Sequence, residues 1–311
     1  PKAHEGRGLG NKFLDDLRQA DVLILIVDTS GTTDEEGKPT TNYDVCNDVR
    51  FIIDELNAWM LQLLKKDWLM LKRKIKIEHI SLVDALAEKF SGLKITHEQI
   101  KKAIAKAGLS ETPDWSDEQL ENFVCCLRSI AKPIIVFGNK IDIASKQNIT
   151  KLEQFCQQQG LSVVFGSAEI ELALREAAHH GLIKYVPGSS TFEIFAREKL
   201  NEKQRQALSK IKMFLQEHPT GVQEVINKAV FELLKYKVVY PVENEKLTDK
   251  DGNVLPDALL MPEHATALDL AEAIHSDLAK NFVAAIDVRT GKRLSKDYVL
   301  KHNDVIRIVT S

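Results

Sequence analysis

The feature that most constrains the fold of this 311-residue chain is a strand-sized run of aliphatic residues between two acids. Val22–Val27 lies between Asp21 and Asp28, and Pro133–Gly138 is a second continuous apolar run. Strands buried in a parallel sheet have this continuous pattern, whereas half-exposed strands alternate apolar with polar residues. The two runs therefore predict buried strands of an α/β domain.

The segment between the two runs has a helical period. From about residue 45 to residue 130, apolar residues recur every three or four positions, as on the buried face of a helix. Thr96 and Ser116 are each followed by Glu and Gln in the positions of a helix start signal. This segment is too long for a single crossover between parallel strands, so we interpret it as a helical insertion.

Strand and helix patterns alternate after the second run, which predicts right-handed parallel βα units. From residue 237 the pattern changes to short strands around one helix at 266–279, which predicts a β-grasp, ubiquitin-like domain. Residues 1–44 are predicted to belong to an α/β domain whose N-terminal part is missing, and residues 45–131 form the helical insertion. Residues 132–236 are the rest of the α/β domain with connecting helices, and residues 237–311 are the β-grasp domain.

Composition excludes several classes of protein. The net charge is −3, from 42 basic and 45 acidic residues, so a global basic field for nucleic acid is absent. No uncharged apolar run reaches 18 residues, so neither a membrane span nor a membrane partner is expected. The four cysteines form no CxxC pair, which favours a reduced cytoplasmic protein without a metal site of its own.

The sharpest motif is Asn139-Lys140-Ile141-Asp142, which directly follows the second apolar run. Ligands of α/β sheets bind at the carboxyl ends of the strands. The Asp142 carboxylate can accept both the N1 and the 2-amino protons of guanine, and adenine offers neither. Asn139 would tie the loop to its neighbours, and the Lys140 stem would lie over the base. The alternative is a surface turn, where Asn and Asp are common.

A second motif, Gly166-Ser167-Ala168-Glu169, follows the next predicted strand. The backbone N–H of Ala168 could bind the guanine O6, and Ser167 could brace the Asp142 loop. The alternative for Ser167 is a helix N-cap, which contributes about 1 kcal/mol. Both roles are compatible, and the order of the two motifs favours guanine binding.

The phosphate-binding half of such a site is not found in this sequence. A GTPase needs a GxxxxGK[ST] loop, whose backbone and lysine hold the phosphates and whose hydroxyl holds Mg²⁺. The loop Gly6-Arg7-Gly8-Leu9-Gly10 is rich in glycine but lacks the Lys-Ser/Thr pair and a preceding strand. No DxxG metal motif precedes Asp28 either.

The segment Ala3–Leu14 resembles the stretch just after the DxxG switch of YchF-type GTPases, in the archaeal-like branch of this Obg-related group. The two motifs follow in the order of that family, and Tyr240-Pro241, Gly252–Pro256 and Asp304–Ile306 resemble its C-terminal TGS domain. The resemblance implies a P-loop NTPase-like G domain with a helical insertion. It also implies that a P-loop and switch regions precede Pro1, so this sequence is expected to begin just behind switch II.

The resemblance implies hydrolysis of GTP to GDP, with Mg²⁺ held by ligands outside this sequence, and action with the ribosome or RNA. Asp142 favours GTP, because many members with Glu there prefer ATP. His4, Gly6 and Gly8 would form a loop next to the switch, no catalytic residue is assigned, and a monomer is favoured. The charges of Arg289, Lys292 and Arg293 lie close together in sequence and could contact RNA phosphates, or could simply form a solvated hairpin.

Three alternatives stay open at this point. The chain could be a ribosome- or RNA-binding module without turnover, which the missing P-loop would allow. It could be an ATPase of the same family. It could also belong to the developmentally regulated GTP-binding proteins, which likewise end in a TGS domain but have a shorter insertion and a different opening loop.

Overall fold

In the computed structural model, the residues described are 18–34, 36–196, 198, 200–244, 246–247, 252–254 and 257–311. The chain divides into two compact units, Pro1–Ile226 and Asn227–Ser311. Among the described residues, every helix is too short or too polar to cross a bilayer.

The first unit contains a three-stranded parallel sheet in the order β1-β2-β3. Its strands are β1 (Leu23–Asp28), β2 (Ile134–Asn139) and β3 (Ser162–Phe165). Asp28 lies opposite Asn139, and Gly138 lies opposite Phe165. The predicted parallel α/β sheet is therefore confirmed, and the carboxyl ends of its three strands meet at one edge.

The helical segment between β1 and β2 forms its own apolar core. Trp68 stacks on Trp115 with their ring centroids 5.6 Å apart, and Phe123 packs against the second ring. Thr96 and Ser116 form capping boxes, as their sequence signals predict. The four helices are α1 (Cys46–Glu78), α2 (Leu82–Lys89), α3 (His97–Lys106) and α4 (Asp117–Ala131).

The rest of the first unit connects and covers the sheet. Ser145 accepts a hydrogen bond from the Asn148 N–H at 3.1 Å and so caps the helix that begins at Lys146. A two-stranded sheet was not predicted, because its strands have only two residues each. The elements are α5 (Lys146–Gln158), α6 (Ala168–His179), β4 (Ile183–Lys184), β5 (Glu193–Ile194), α7 (Glu202–Glu217) and α8 (Val222–Asn227).

The second unit is a five-stranded sheet in the order β7-β6-β10-β8-β9, in which β6 and β10 are parallel and the other pairs antiparallel. A π-helical turn, Lys228–Leu233, precedes it. The core includes Leu270 and Ala267, packed with Val239, Ala285 and Ile306. The elements are β6 (Lys237–Pro241), β7 (Leu259–Met261), α9 (Ala267–Ile274), α10 (Ser276–Lys280), β8 (Phe282–Asp287), β9 (Lys292–Leu294) and β10 (Asp304–Thr310).

The prediction of one helix over 266–279 is wrong. His275 has an extended backbone, and its Nδ1 accepts the Asp277 N–H at 3.1 Å. This side chain caps the second helix, so the segment divides into α9 and α10. Shorter polar side chains such as Ser and Asp interrupt a helix in the same way, because they also accept hydrogen bonds from nearby backbone N–H groups.

Candidate functional site

The structure brings the two sequence motifs together at the carboxyl edge of the parallel sheet. Asn139 is the last residue of β2, and its Oδ1 accepts a hydrogen bond from the Ala168 N–H at 2.9 Å. The Gly166 N–H donates to the Gly138 carbonyl at 3.0 Å, and the Ile141 N–H donates to the Gly166 carbonyl at 3.3 Å. Asn139 thus ties the loop after β2 to the loop after β3.

Lys140 lies between the ends of β2 and β1. Its backbone has a φ of 62°, which is uncommon for a residue with a side chain and costs of order 1 kcal/mol. Its Nζ lies 2.7 Å from Asp28 Oδ2. The ammonium group is therefore anchored at β1, and the aliphatic stem extends across the edge where the strands end.

Asp28 is the counter-ion of this lysine. Burial raises the pKa of its carboxyl, but hydrogen bonds from Lys140, Ser30 and Thr33 outweigh burial and lower the pKa to about 2. The Thr33 hydroxyl donates to Oδ2 at 2.7 Å. From sequence, Asp28 marked only a strand boundary, although an acid at the end of a buried strand next to the motif strand was a usable signal.

The remaining motif residues differ in exposure. Asp142 and Glu169 are exposed, so their carboxylates are accessible to a ligand. Ser167 is fully buried, and its Oγ accepts the Ile170 N–H at 3.4 Å as the N-cap of α6. This contact is the one expected of a helix N-cap, and the predicted bracing of the Asp142 loop is not among the contacts of Ser167 in the described part of the chain.

A third loop supports the second motif from behind. The Ser167 N–H donates to the Thr220 carbonyl at 3.0 Å. A Cβ on Gly166 would lie 2.0 Å from that same carbonyl oxygen, and Gly221 has a φ of 77°. Two glycines therefore allow two backbones to touch. Sequence reasoning missed this loop, because Thr220 and Gly221 stand in a short connection between helices and form no recognised motif.

The other predicted residues lie apart from this edge. His4, Gly6 and Gly8 are outside the described residues. Arg289, Lys292 and Arg293 are exposed on the hairpin of β8 and β9 in the second unit. The Asp287 Oδ1 accepts the Arg289 N–H at 3.0 Å, which fixes the turn of the hairpin.

The family resemblance implies Mg²⁺ as a cofactor, with ligands outside this sequence. No group of three or more His, Cys, Asp or Glu side chains among the residues that the structure describes is arranged to hold a metal ion. The carboxylate of Asp28 is already bonded to Lys140, Ser30 and Thr33. No chemical step is therefore assigned to Mg²⁺ here.

Known protein families match this architecture. The protein-family model described as "Obg-like GTPase YGR210-like, G4 motif-containing domain" matches residues 137–244. The model of the TGS domain matches residues 247–310. The first match contains both loops of the candidate site, and the second covers most of the five-stranded sheet.

Two relatives extend the similarity over most of the chain. The "Uncharacterized GTP-binding protein MJ1332" of Methanocaldococcus jannaschii is 48% identical over 315 residues, which cover all of this chain and 78% of that protein. The "Uncharacterized GTP-binding protein C428.15" of Schizosaccharomyces pombe is 34% identical over 296 residues, which cover 91% and 71%.

Solved structures agree with this relationship. A GTP binding protein from Pyrococcus horikoshii OT3 superposes with a TM-score of 0.80 at 39% identity, over 96% of this chain and 81% of that one. The YchF GTPase of Schizosaccharomyces pombe superposes with a TM-score of 0.52 at 17% identity, over 97% and 75%, and shows a shared fold. The fold and these similarities are those of an α/β nucleotide-binding protein. The chain belongs to the Obg-like GTPase family of the YGR210-like type and carries a TGS domain, and the predicted resemblance is confirmed.

Proposed function

We propose that the carboxyl edge of the parallel sheet recognises the guanine base of GTP and GDP. The observation that carries the proposal is the 2.9 Å hydrogen bond between the Ala168 N–H and Asn139 Oδ1. It joins the loops after β2 and β3 into one surface, at the place where α/β sheets bind ligands. Both relatives are named as GTP-binding proteins, which supports the same assignment.

The chemistry of each side chain defines how the base would bind. The exposed Asp142 carboxylate accepts the N1 and 2-amino protons in a fork. Asn139 uses Oδ1 to accept from Ala168, so its NH₂ group is left to donate to a purine acceptor such as N7. The stem of Lys140, fixed at Asp28, covers one face of the ring.

The guanine O6 would meet the N-terminus of α6. The N–H groups at a helix start carry partial positive charge and favour an acceptor oxygen. The Ala168 N–H would be shared between Asn139 Oδ1 and O6 in a three-centre bond, a geometry common at helix ends. Glu169 is the next residue of this turn, and its N–H faces the same acceptor in the proposal.

The same arrangement disfavours adenine. An adenine base has no N1 proton and no 2-amino group, so Asp142 would lose its water without gaining a partner. Adenine also presents a 6-amino donor to the N–H groups of α6. Adenine would therefore leave the Asp142 carboxylate without a partner and would place its 6-amino donor against the N–H donors of α6. Both contacts disfavour the ATPase alternative.

We further propose that the complete protein hydrolyses GTP to GDP and phosphate in the cytoplasm, with Mg²⁺ bound through the nucleotide phosphates. The family is one of GTPases, which supports the activity. The phosphate-binding residues are expected outside the described residues, and no side chain described here is assigned to the chemical step.

A nucleotide competition experiment tests the proposed base recognition. The complete gene product is incubated with a fluorescent GDP, and GTP or ATP displaces the probe. We expect GTP to compete at least about tenfold better than ATP, because the wrong base leaves site groups unpaired. Equal competition by the two nucleotides would overturn the guanine assignment, whatever the rate of hydrolysis.

The β8–β9 hairpin supports a second candidate activity, which is RNA binding by the TGS domain. Arg289, Lys292 and Arg293 are exposed on consecutive parts of one hairpin, and β9 is an edge strand. Cations in this arrangement can follow a phosphate backbone. The ribosome or another RNA is the partner class that this surface fits.

A further inference from the structure

A buried carboxylate lies in the first turn of α6, directly after the second motif loop. Glu171 stands in the first turn of α6, and 3% of it is exposed. Its Oε1 accepts from Arg175 Nε at 2.6 Å. Its Oε2 accepts from the hydroxyls of Tyr185 and Thr220, each at 2.7 Å. Both oxygens of a nearly inaccessible carboxylate are therefore bonded.

The charge state of this cluster is defined by its contacts. Burial raises the pKa of the Glu171 carboxyl, but the hydrogen bonds from Arg175, Thr220 and Tyr185 outweigh burial and hold the pKa below its ordinary value. Burial and the bond to Glu171 raise the pKa of the Tyr185 hydroxyl. At neutral pH the carboxylate is thus an ionised acceptor, and the two hydroxyls are its donors.

Thr220 connects this cluster to the motif loop. Its hydroxyl donates to Glu171, while its carbonyl accepts the Ser167 N–H at 3.0 Å. Ser167 begins the same helix that carries Glu171 one turn later. The contacts therefore close a ring through Thr220, Glu171 and the start of α6. The ring fixes where the next N–H, that of Ala168, can lie.

We propose that Thr220 and Glu171 are positioning residues for guanine specificity, which hold the N-terminus of α6 where its N–H groups meet the O6 of the base. Neither residue touches the nucleotide. This inference rests on the proposed guanine site and adds the groups that set its geometry. A site held rigidly by a second layer of hydrogen bonds discriminates between ligands better than a loose one.

The test compares two nucleotides that differ at one atom. In 6-thio-GDP a sulfur replaces O6, and sulfur is a weak hydrogen-bond acceptor. The complete gene product should prefer GDP to 6-thio-GDP. Thr220→Val removes the hydroxyl at nearly constant volume, and we expect it to weaken GDP binding about tenfold. Because the displaced helix start no longer meets O6, the preference for GDP over 6-thio-GDP should fall toward one.

Matched variants separate positioning from folding. Thr220→Ser keeps the hydroxyl and should retain both GDP affinity and the preference. Thr150→Val makes the same change at an exposed position of α5 and should alter neither. If Thr220→Val does not fold, Tyr185→Phe removes one donor to Glu171 from a less buried position. It should weaken GDP binding about threefold and lower the preference in the same direction.

The outcomes are distinguishable. Unchanged GDP affinity in the folded variants would overturn the positioning role. Equal losses for GDP and 6-thio-GDP would also overturn it, because a merely structural role lowers both together. Failure of the unsubstituted protein to bind GDP would instead contradict the proposed guanine site itself.

Discussion

The base-site edge of the first unit and the β8–β9 hairpin of the second unit present polar groups in opposite ways. At the edge, Asn139, Asp28 and Ser167 are bonded to backbone or side chains from other loops. On the hairpin, Arg289 and Lys292 extend into solvent, and the turn is held by local contacts of Asp287. Interlocked groups can define the shape of one ligand, whereas exposed charges respond to any phosphate backbone.

Replacing single glycines by alanine should produce the largest difference in stability between the two regions. Gly166→Ala places a Cβ 2.0 Å from the Thr220 carbonyl oxygen, so backbone must move. We expect the free energy of unfolding to fall by about 3 kcal/mol. Gly291→Ala, in the hairpin turn, meets no atom within 4 Å and has only its φ of 68° to oppose it. It should cost about 1 kcal/mol.

Urea unfolding followed by circular dichroism measures both changes. Gly92→Ala is the control, because no atom lies within 4 Å of its Cβ and its φ is not in the left-handed region. Equal losses of stability at Gly166 and Gly291 would contradict the view that the base-site loops are interlocked and the hairpin is not.

Substitution of Asp142 should produce the next largest effect, which is a loss of GDP affinity. Asp142→Asn replaces one acceptor oxygen by an NH₂ donor, which no longer suits the protons of guanine. We expect GDP affinity to fall about 100-fold, or about 2.7 kcal/mol, and xanthosine diphosphate, which offers an acceptor there, to bind better than GDP. Isothermal titration with both nucleotides measures this. Unaltered GDP binding would show that Asp142 does not read the base.

Acid stability tests the ion pair of Lys140 and Asp28. The folded-state pKa of Asp28 is about 2, below the ordinary 3.8, so its stabilisation is complete above pH 3.8. That stabilisation is lost as the pH falls from 3.8 toward 2, and it amounts to about 2 kcal/mol. Asp28→Asn should lower stability by about that amount at pH 7 and should remove this part of the acid dependence.

Chemical unfolding at several pH values measures the difference between the two proteins. Asp114→Asn, at an exposed position of the same unit, is the control and should retain the acid dependence. A constant difference between Asp28→Asn and the unsubstituted protein from pH 7 to pH 2 would contradict the assigned ion pair.

The hairpin should show the smallest effect and a different signature. Lys292→Ala should weaken binding of a single-stranded RNA only about threefold and should lower the slope of log affinity against log salt by about 0.7. GDP binding should be unchanged. Filter binding from 50 to about 300 mM salt measures the slope. A salt slope that does not change, or a parallel loss of GDP affinity, would argue against an independent RNA surface.

Much of the fold follows from local patterns. The β1 and β2 runs and the capping signals at Thr96 and Ser116 are continuous in sequence, so their elements could be predicted. The division at His275 could not, because helical spacing continues through it and only the cap geometry separates α9 from α10. The strands of the β4–β5 pair are too short to show any period.

The candidate site likewise contains some residues that could be predicted from sequence and others that could not. Asn139, Lys140 and Asp142 are neighbours in sequence, and their side-chain types indicate which hydrogen bonds each can make with a base. The partners that position them, Asp28 for Lys140 and Thr220 for Ser167, are 112 and about 50 residues away along the chain. Such contacts depend on which strand ends meet and on where a glycine lets two backbones touch, and neither is visible in one sequence.

A crystal structure of the complete protein with GDP tests the central claim most directly. The account predicts the Asp142 carboxylate within about 3 Å of both N1 and the 2-amino group of guanine, with O6 toward the N–H of Ala168 or Glu169. Lys140 should lie along one face of the base. A base bound elsewhere, or bound here with Asp142 turned to solvent, would contradict it.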